Sequence, residues 1–199
     1  MPPTSRGFWM ADFRHETERL VLRDWREEDW PVFWQHTNTP AVMQWLGGMA
    51  DACTMKGARE RLEGYARDHG FTFWVCERCR NGGHLAGELL GFCGLKISNQ
   101  PPGPEGMVEI GWRLREDAWG HGYAKEAAIA TLDLAFGQFA ANEVIAITVP
   151  QNEASWGLMQ RLGMTHRPEL DWADDRWAGP GGRNIVYAIT QAEWAGRTE

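Results

Sequence analysis

Glu109-Ile110-Gly111-Trp112-Arg113-Leu114-Arg115-Glu116-Asp117-Ala118-Trp119-Gly120-His121-Gly122-Tyr123-Ala124-Lys125-Glu126-Ala127-Ala128 decides the fold. Ile110, Trp112 and Leu114 alternate with Glu109, Gly111 and Arg113, the period of a strand. Gly120 and Gly122 then mark a turn. Ala124, Ala127, Ala128, Thr131, Leu132 and Ala135 recur at three- and four-residue steps, the period of a helix, with Gly137 as its stop. A strand, a glycine turn and a helix start together make an anion site. The first helical N–H groups have no partner inside the helix, the peptide dipoles add positive potential, and glycine lets a phosphate approach the backbone. The main-chain N–H groups of Gly120, Gly122, Tyr123 and Ala124 are therefore candidates to hold a diphosphate. The competing reading is a plain tight turn, since a lone Gly-x-Gly is a weak signal.

The flanks give this unit its setting. Residues 1–15 show no periodicity and are predicted to be a loose arm, leaving a single domain over 16–199. Arg19–Trp25 alternates as a strand. Glu27, Glu28 and Asp29 open a helix with Trp30, Phe33 and Trp34 on its apolar face. Pro40 begins a break that runs through Met43–Gly48, a Gly-Gly loop that could wall a substrate cleft or be a plain connection, and a second helix runs over Thr54–Asp68 with Ala58, Leu62 and Tyr65 inward. Phe71–Glu77 and Glu88–Ile97 pair across an Asn81-Gly82-Gly83 turn. Beyond the central unit, Glu143–Val149 is a near-continuous apolar run, read as a buried strand. A helix follows over Asn152–Leu162, ended by Gly163. A polar, tryptophan-containing loop spans 167–182, Asn184–Thr190 is a last strand, and Thr190 with Glu193 forms a capping box. Hairpins first and strand–helix–strand later predict an α/β fold with a mixed, mostly antiparallel sheet and helices on both faces.

Composition narrows the function. The chain has 199 residues, 43% hydrophobic, and a net charge of −7. That charge argues against nucleic acid and against an anionic membrane surface, and is compatible with a cationic substrate such as an amine. With no long apolar run and no apolar leader, a cytoplasmic protein is expected. Cys76-x-x-Cys79, His84 and Cys93 have a zinc-like look. They lie on a predicted hairpin with a single Cys-x-x-Cys, so reduced structural thiols are the expectation and no metal is assigned. Twelve tryptophans are unusual; Trp25, Trp30, Phe33, Trp34 and Trp45 could wall an acceptor cleft as well as pack a core.

Three blocks in this order and spacing resemble the GNAT superfamily of acyl-CoA N-acyltransferases, in the branch of the ribosomal-protein N-terminal acetyltransferases. They are Glu18-Arg19-Leu20-Val21-Leu22-Arg23; Glu109-Ile110-Gly111-Trp112 with Trp119-Gly120-His121-Gly122-Tyr123-Ala124; and Asn152-x-x-Ser155 with Leu158 and Leu162-Gly163-Met164. The likeness runs from about Thr17 to Trp194. Asp117 departs from the Gln or Arg that usually opens the loop, removing a side chain that would assist it.

The resemblance implies central strands that run parallel and splay at a cofactor cleft. It also implies acetyl-CoA as acyl donor and a primary amine as acceptor, either a protein N-terminus or a small amine. Leu114, Trp119, Gly120, His121, Gly122, Tyr123, Ala124, Asn152 and Ser155 would bind coenzyme A, its diphosphate on the turn and its pantetheine amides along the strand edge. A main-chain N–H near Leu114 would stabilise the oxyanion. An amine attacks only when neutral, so a base is needed. Glu109 is the first candidate and otherwise a paired strand carboxylate; Glu169, Asp171, Asp174 and Asp175 are rivals. Ser155 would protonate the leaving thiolate, or else serve only the helix start; Asn152 would bond a pantetheine amide, or else simply cap that helix. The alternative function is a non-catalytic acyl-CoA sensor, and a homodimer is left open.

Overall fold

The computed structural model describes residues 13–174 and 182–197. Among the described residues eight strands form one path, ordered β1 (Arg14–Glu16), β2 (Leu20–Arg23), β3 (Phe73–Arg78), β4 (Leu89–Asn99), β5 (Glu105–Leu114), β6 (Glu143–Thr148), β9 (Arg183–Thr190) and β7 (Thr165–His166), and a ninth, β8 (Trp172–Ala173), pairs with β9 off that path. All neighbours are antiparallel except β5 and β6, which are parallel.

The helices are α1 (Asp29–Thr37), α2 (Pro40–Met43), α3 (Ala52–His69), α4 (Tyr123–Gly137), α5 (Glu153–Arg161) and α6 (Gln191–Ala195). Helix α4 lies on one face. Its Ala127, Ala128, Leu132 and Ala135 pack with Leu20, Leu22, Trp74, Leu95, Ile110 and Leu114 in the main core. On the opposite face Phe33 of α1 packs with Val75, Leu89 and Phe92. The small residues along α4 explain how closely it approaches the sheet.

Most predicted elements are present, with two corrections. Residues 13–15 are not part of a loose arm. Arg14 and His15 pair with Arg23 and Leu22, the Phe13 N–H donates to Asp24, and the Phe13 ring stacks on Trp74 at 4.2 Å. The rest of the predicted arm, 1–12, lies outside the described residues. Gly137 is the last residue of α4, the predicted stop. In α3 only Leu62 is buried, while Ala58 and Tyr65 face the cavity described below.

The parallel pair carries the functional geometry. Strands β5 and β6 are in register at only two positions, Val108 with Val144 and Glu109 with Ile145. Beyond Glu109, β5 stays with β4 through Leu114, and β6 stays with β9 through Thr148. The sheet therefore splits into a V in its middle, opening toward the Gly120–Gly122 turn.

Candidate active site

A cavity of about 1160 Å³ fills this V. One wall is β5 from Glu109 to Leu114 with Trp119, Gly120, Gly122, Tyr123 and Ala124. The other is Ile147–Val149 with Gln151–Ser155, and Trp30, Phe33, Trp34, Trp45 and Leu46 close one end. The predicted aromatic group thus does both jobs. Trp30 and Phe33 are buried while lining the cavity, and Trp25 stacks on Trp30 at 4.0 Å.

The turn has the backbone an anion site requires. Gly120 and Gly122 have φ of +77° and +80°, the left-handed region that only glycine enters without strain. Gly122 begins α4 with no side-chain cap, and the first helical bond is Glu126 N–H to Gly122 C=O. Among the described residues the N–H groups of Gly122, Tyr123 and Ala124 meet no acceptor. A Cβ at Gly120 would meet nothing within 4 Å, so its surroundings are open. Asp117 does not support this turn directly. It takes Arg115 in a bidentate pair, at 2.6 and 2.8 Å, and so fixes the bend after β5.

The strand edge follows from register. Leu90 accepts from Arg115 N–H, so odd-numbered residues of β5 direct their main-chain groups to β4. Ile110, Trp112 and Leu114 direct theirs toward the gap. The Leu114 carbonyl is already met by Trp119 Nε1 at 3.0 Å. Trp112 N–H and C=O and Leu114 N–H remain for an incoming strand-like group. Trp119, half-exposed, forms the lip between strand and turn.

Glu109 is buried on β5 and lines the cavity. Lys96, its cross-strand partner on β4, stands 3.0 Å from Oε2, and Gln100 donates to the same oxygen at 3.2 Å. Burial raises the carboxyl above the ordinary range, and Lys96 offsets part of that rise. On the far wall Asn152 caps α5, its side chain accepting from Ser155 N–H at 3.3 Å. Asn152 thus caps α5 and also lines the cavity. The Ser155 hydroxyl makes no hydrogen bond among the described residues and lines the cavity.

Other predicted positions stand apart. His121 is not in the cavity wall; its ring stacks on His84 at 3.9 Å, and its carbonyl accepts from Arg19. Of the rival bases, Asp171 is held by His166, Arg183 and the Val186 N–H, and Glu169 pairs with Arg167. Neither they nor Asp174 line the cavity, and Asp175 lies outside the described residues. Tyr187 stacks on His166 at 5.2 Å, away from the site. Cys76 and Cys93 are buried, with burial raising both thiols, Cys93 to about 12. Among the described residues no three His, Cys, Asp or Glu stand together as a ligand set. None of the described helices is long and apolar enough to cross a membrane.

Sequence reasoning missed Lys96, Gln100 and Arg113. The first two are visible only once β4 and β5 are in register. Arg113 was signalled by a cation on a strand bounded by apolar residues.

Comparison with known proteins agrees with this geometry. A family model described as acetyltransferase (GNAT) domain matches residues 19–165. The Bacillus subtilis protein YkkB is 32% identical over 155 residues, covering 74% of this chain and 83% of that one. An acetyltransferase structure from Agrobacterium tumefaciens is 26% identical with a TM-score of 0.74, over 94% of this chain and 99% of that chain. A ribosomal-protein-S5-alanine acetyltransferase from Vibrio fischeri shares the fold at 18% identity and a TM-score of 0.71, over 92% and 99% of the two chains.

Proposed function

Because the chain belongs to the GNAT acetyltransferase family, we propose that it moves an acetyl group from acetyl-CoA to a primary amine by direct attack on the thioester. One observation carries this reading: a split sheet, an uncapped helix start and a buried carboxylate all face one cavity.

The residues fit the donor. The N–H groups of Gly122, Tyr123 and Ala124 hold the diphosphate, assisted by the dipole of α4. Trp112 and Leu114 bind the pantetheine amides as a strand would bind a neighbour, and Asn152 faces them from the other wall. Acetyl-CoA supplies the activated carbonyl. Glu109 takes the proton from the ammonium, directly or through one water, and burial has made it a stronger base than a surface carboxylate. Main-chain N–H groups at the free edge of β5 stabilise the oxyanion. The C–N bond forms, the C–S bond breaks, and Ser155 gives its proton to the departing sulfur while the second proton released by the acylated nitrogen returns to Ser155, directly or through water.

The test is to incubate the protein with acetyl-CoA and a panel of amines and N-terminal peptides and to follow free thiol. Acceptor-dependent thiol release is expected. Bound coenzyme A with no release across a broad panel would instead mark an acyl-CoA sensor.

A further inference from the structure

Arg113 differs from the buried arginines among the described residues, Arg23, Arg78 and Arg115. The buried Arg23 holds Asp29 in a bidentate pair at 2.7 and 2.8 Å and Glu77 at 2.8 Å. The buried Arg115 holds Asp117 and Glu88. Arg78 is met by Asn81 and by main-chain carbonyls. Among the described residues Arg113 has no ion pair and no hydrogen bond, and its Nε is fully buried without a partner. Its guanidinium carbon lies 5.4 Å from the Phe92 ring centroid, 5.8 Å from Phe33 and 5.9 Å from Trp34. Those rings ease the burial of a cation but accept no N–H bond. Burial lowers its pKa to about 10, which leaves it charged at neutral pH.

Its position gives this unmatched charge a use. Arg113 lies on the same face of β5 as Glu109, the face toward α1, and both line the cavity. Lys96 is already committed to Glu109. Counted around the cavity, Arg61, Lys96, Arg113, Lys125 and Arg161 face only Glu109 and Glu153. A chain with a net charge of −7 thus encloses a cavity whose charged lining is mainly basic, so overall acidity does not describe the site. Lys125 and Arg161 belong to α4 and α5, whereas Arg113 sits among the aromatic side chains of α1.

We propose that Arg113 receives a carboxylate of the acceptor, so that the acceptor class is compact primary amines that carry a carboxylate. The inference rests on the acetyl-transfer reading. A guanidinium fork matches a carboxylate with two parallel N–H bonds, and in an apolar surround such a pair discriminates strongly against an uncharged isostere. A polyamine would bring further positive charge to a cation that already lacks a partner.

The test compares each acceptor with its own carboxamide. Free amino acids and dipeptides with an acidic first residue are assayed for thiol release against the matching amides, with spermidine as a third arm. The acids are expected to exceed their amides in kcat/KM by about tenfold or more. In Arg113→Met that ratio should fall to about one through a raised KM for the acid, with KM for acetyl-CoA unchanged. The melting temperature should hold or rise, because a cation whose Nε is buried without a partner is gone. The faster of the two acidic arms tells whether the carboxylate belongs to a free amino acid or to a peptide. Equal rates for acids and amides, preference for spermidine, or a melting temperature lowered by Arg113→Met would overturn the proposal while leaving acetyl transfer standing. If no amine releases thiol, calorimetry of the amino acids with coenzyme A-loaded protein decides. Binding that disappears in Arg113→Met supports the role, and absent or unchanged binding refutes it.

Discussion

Glu109 is buried beside Lys96 and still faces the cavity. In the proposed mechanism the deprotonated carboxylate is the base, so activity is expected above its pKa and should fall as pH drops through it. Burial places that limb above the ordinary carboxylate range. Glu109→Gln is expected to remove the limb and to lower kcat by about 10²- to 10³-fold, with coenzyme A still bound. Ser155→Ala should give a smaller loss in kcat, again without loss of coenzyme A. A pH profile of kcat and a calorimetric titration measure both; an unchanged acid limb in Glu109→Gln would remove this residue from the chemistry. Gly111, beside it, has a packing reason to be glycine. A Cβ there would come within 2.8 Å of the Phe73 ring, which is stacked on Phe92 at 4.8 Å.

At the scale of elements, the strand–turn–helix of β5 and α4 is the functional unit. Gly122→Ala puts a Cβ on a residue with φ +80°, at a cost of about 1–2 kcal/mol. The Cβ would also meet Arg19 Nη2 at 3.4 Å. Coenzyme A affinity is expected to fall by up to about tenfold as the turn relaxes, with little change in kcat at saturation. Equal affinity by calorimetry would mean that the diphosphate does not use this turn.

This unit was legible in the sequence because period 2 gives way to period 3.6 across two glycines. The cap at Asn152 and the box at Thr190 and Glu193 were legible for the same local reason. Lys96 opposite Glu109 was not, because cross-strand pairing depends on a register that no local pattern specifies. The strand at Arg14–Glu16 escaped notice because three residues show no period; β2 and the stack of Phe13 on Trp74 hold it.

For the whole molecule, Glu126 ties the start of β2 to the first turn of α4. It accepts from Thr17 Oγ1 at 2.6 Å, from Arg19 N–H at 2.7 Å and from Arg19 Nε at 2.6 Å. Burial alone would raise its pKa, yet those bonds hold it below the usual value. A carboxyl depressed in the folded state adds stability that is present above its unfolded pKa and is lost as pH falls through the folded one. Glu126→Gln is expected to cost about 2 kcal/mol near neutral pH and to flatten the acid side of the melting curve. Thermal melts from neutrality down to pH 3 or so measure this; parallel curves for the two proteins would contradict it. Sheet order was legible only in part. Hairpins announced the antiparallel half, whereas the placement of β9 between β6 and β7 depends on long-range pairing.

The two-residue contact between β5 and β6 has a consequence for the unliganded chain. Most sheets end in bare peptide groups at their rim, where short or charged strands guard them. Here an unzipped seam lies at the centre, screened by aromatic walls instead of by a neighbouring ladder. A molecule with amides of its own could lie along it as a missing rung, and on the proposed reading the nucleotide-tailed donor would become a temporary part of the architecture as well as a reagent.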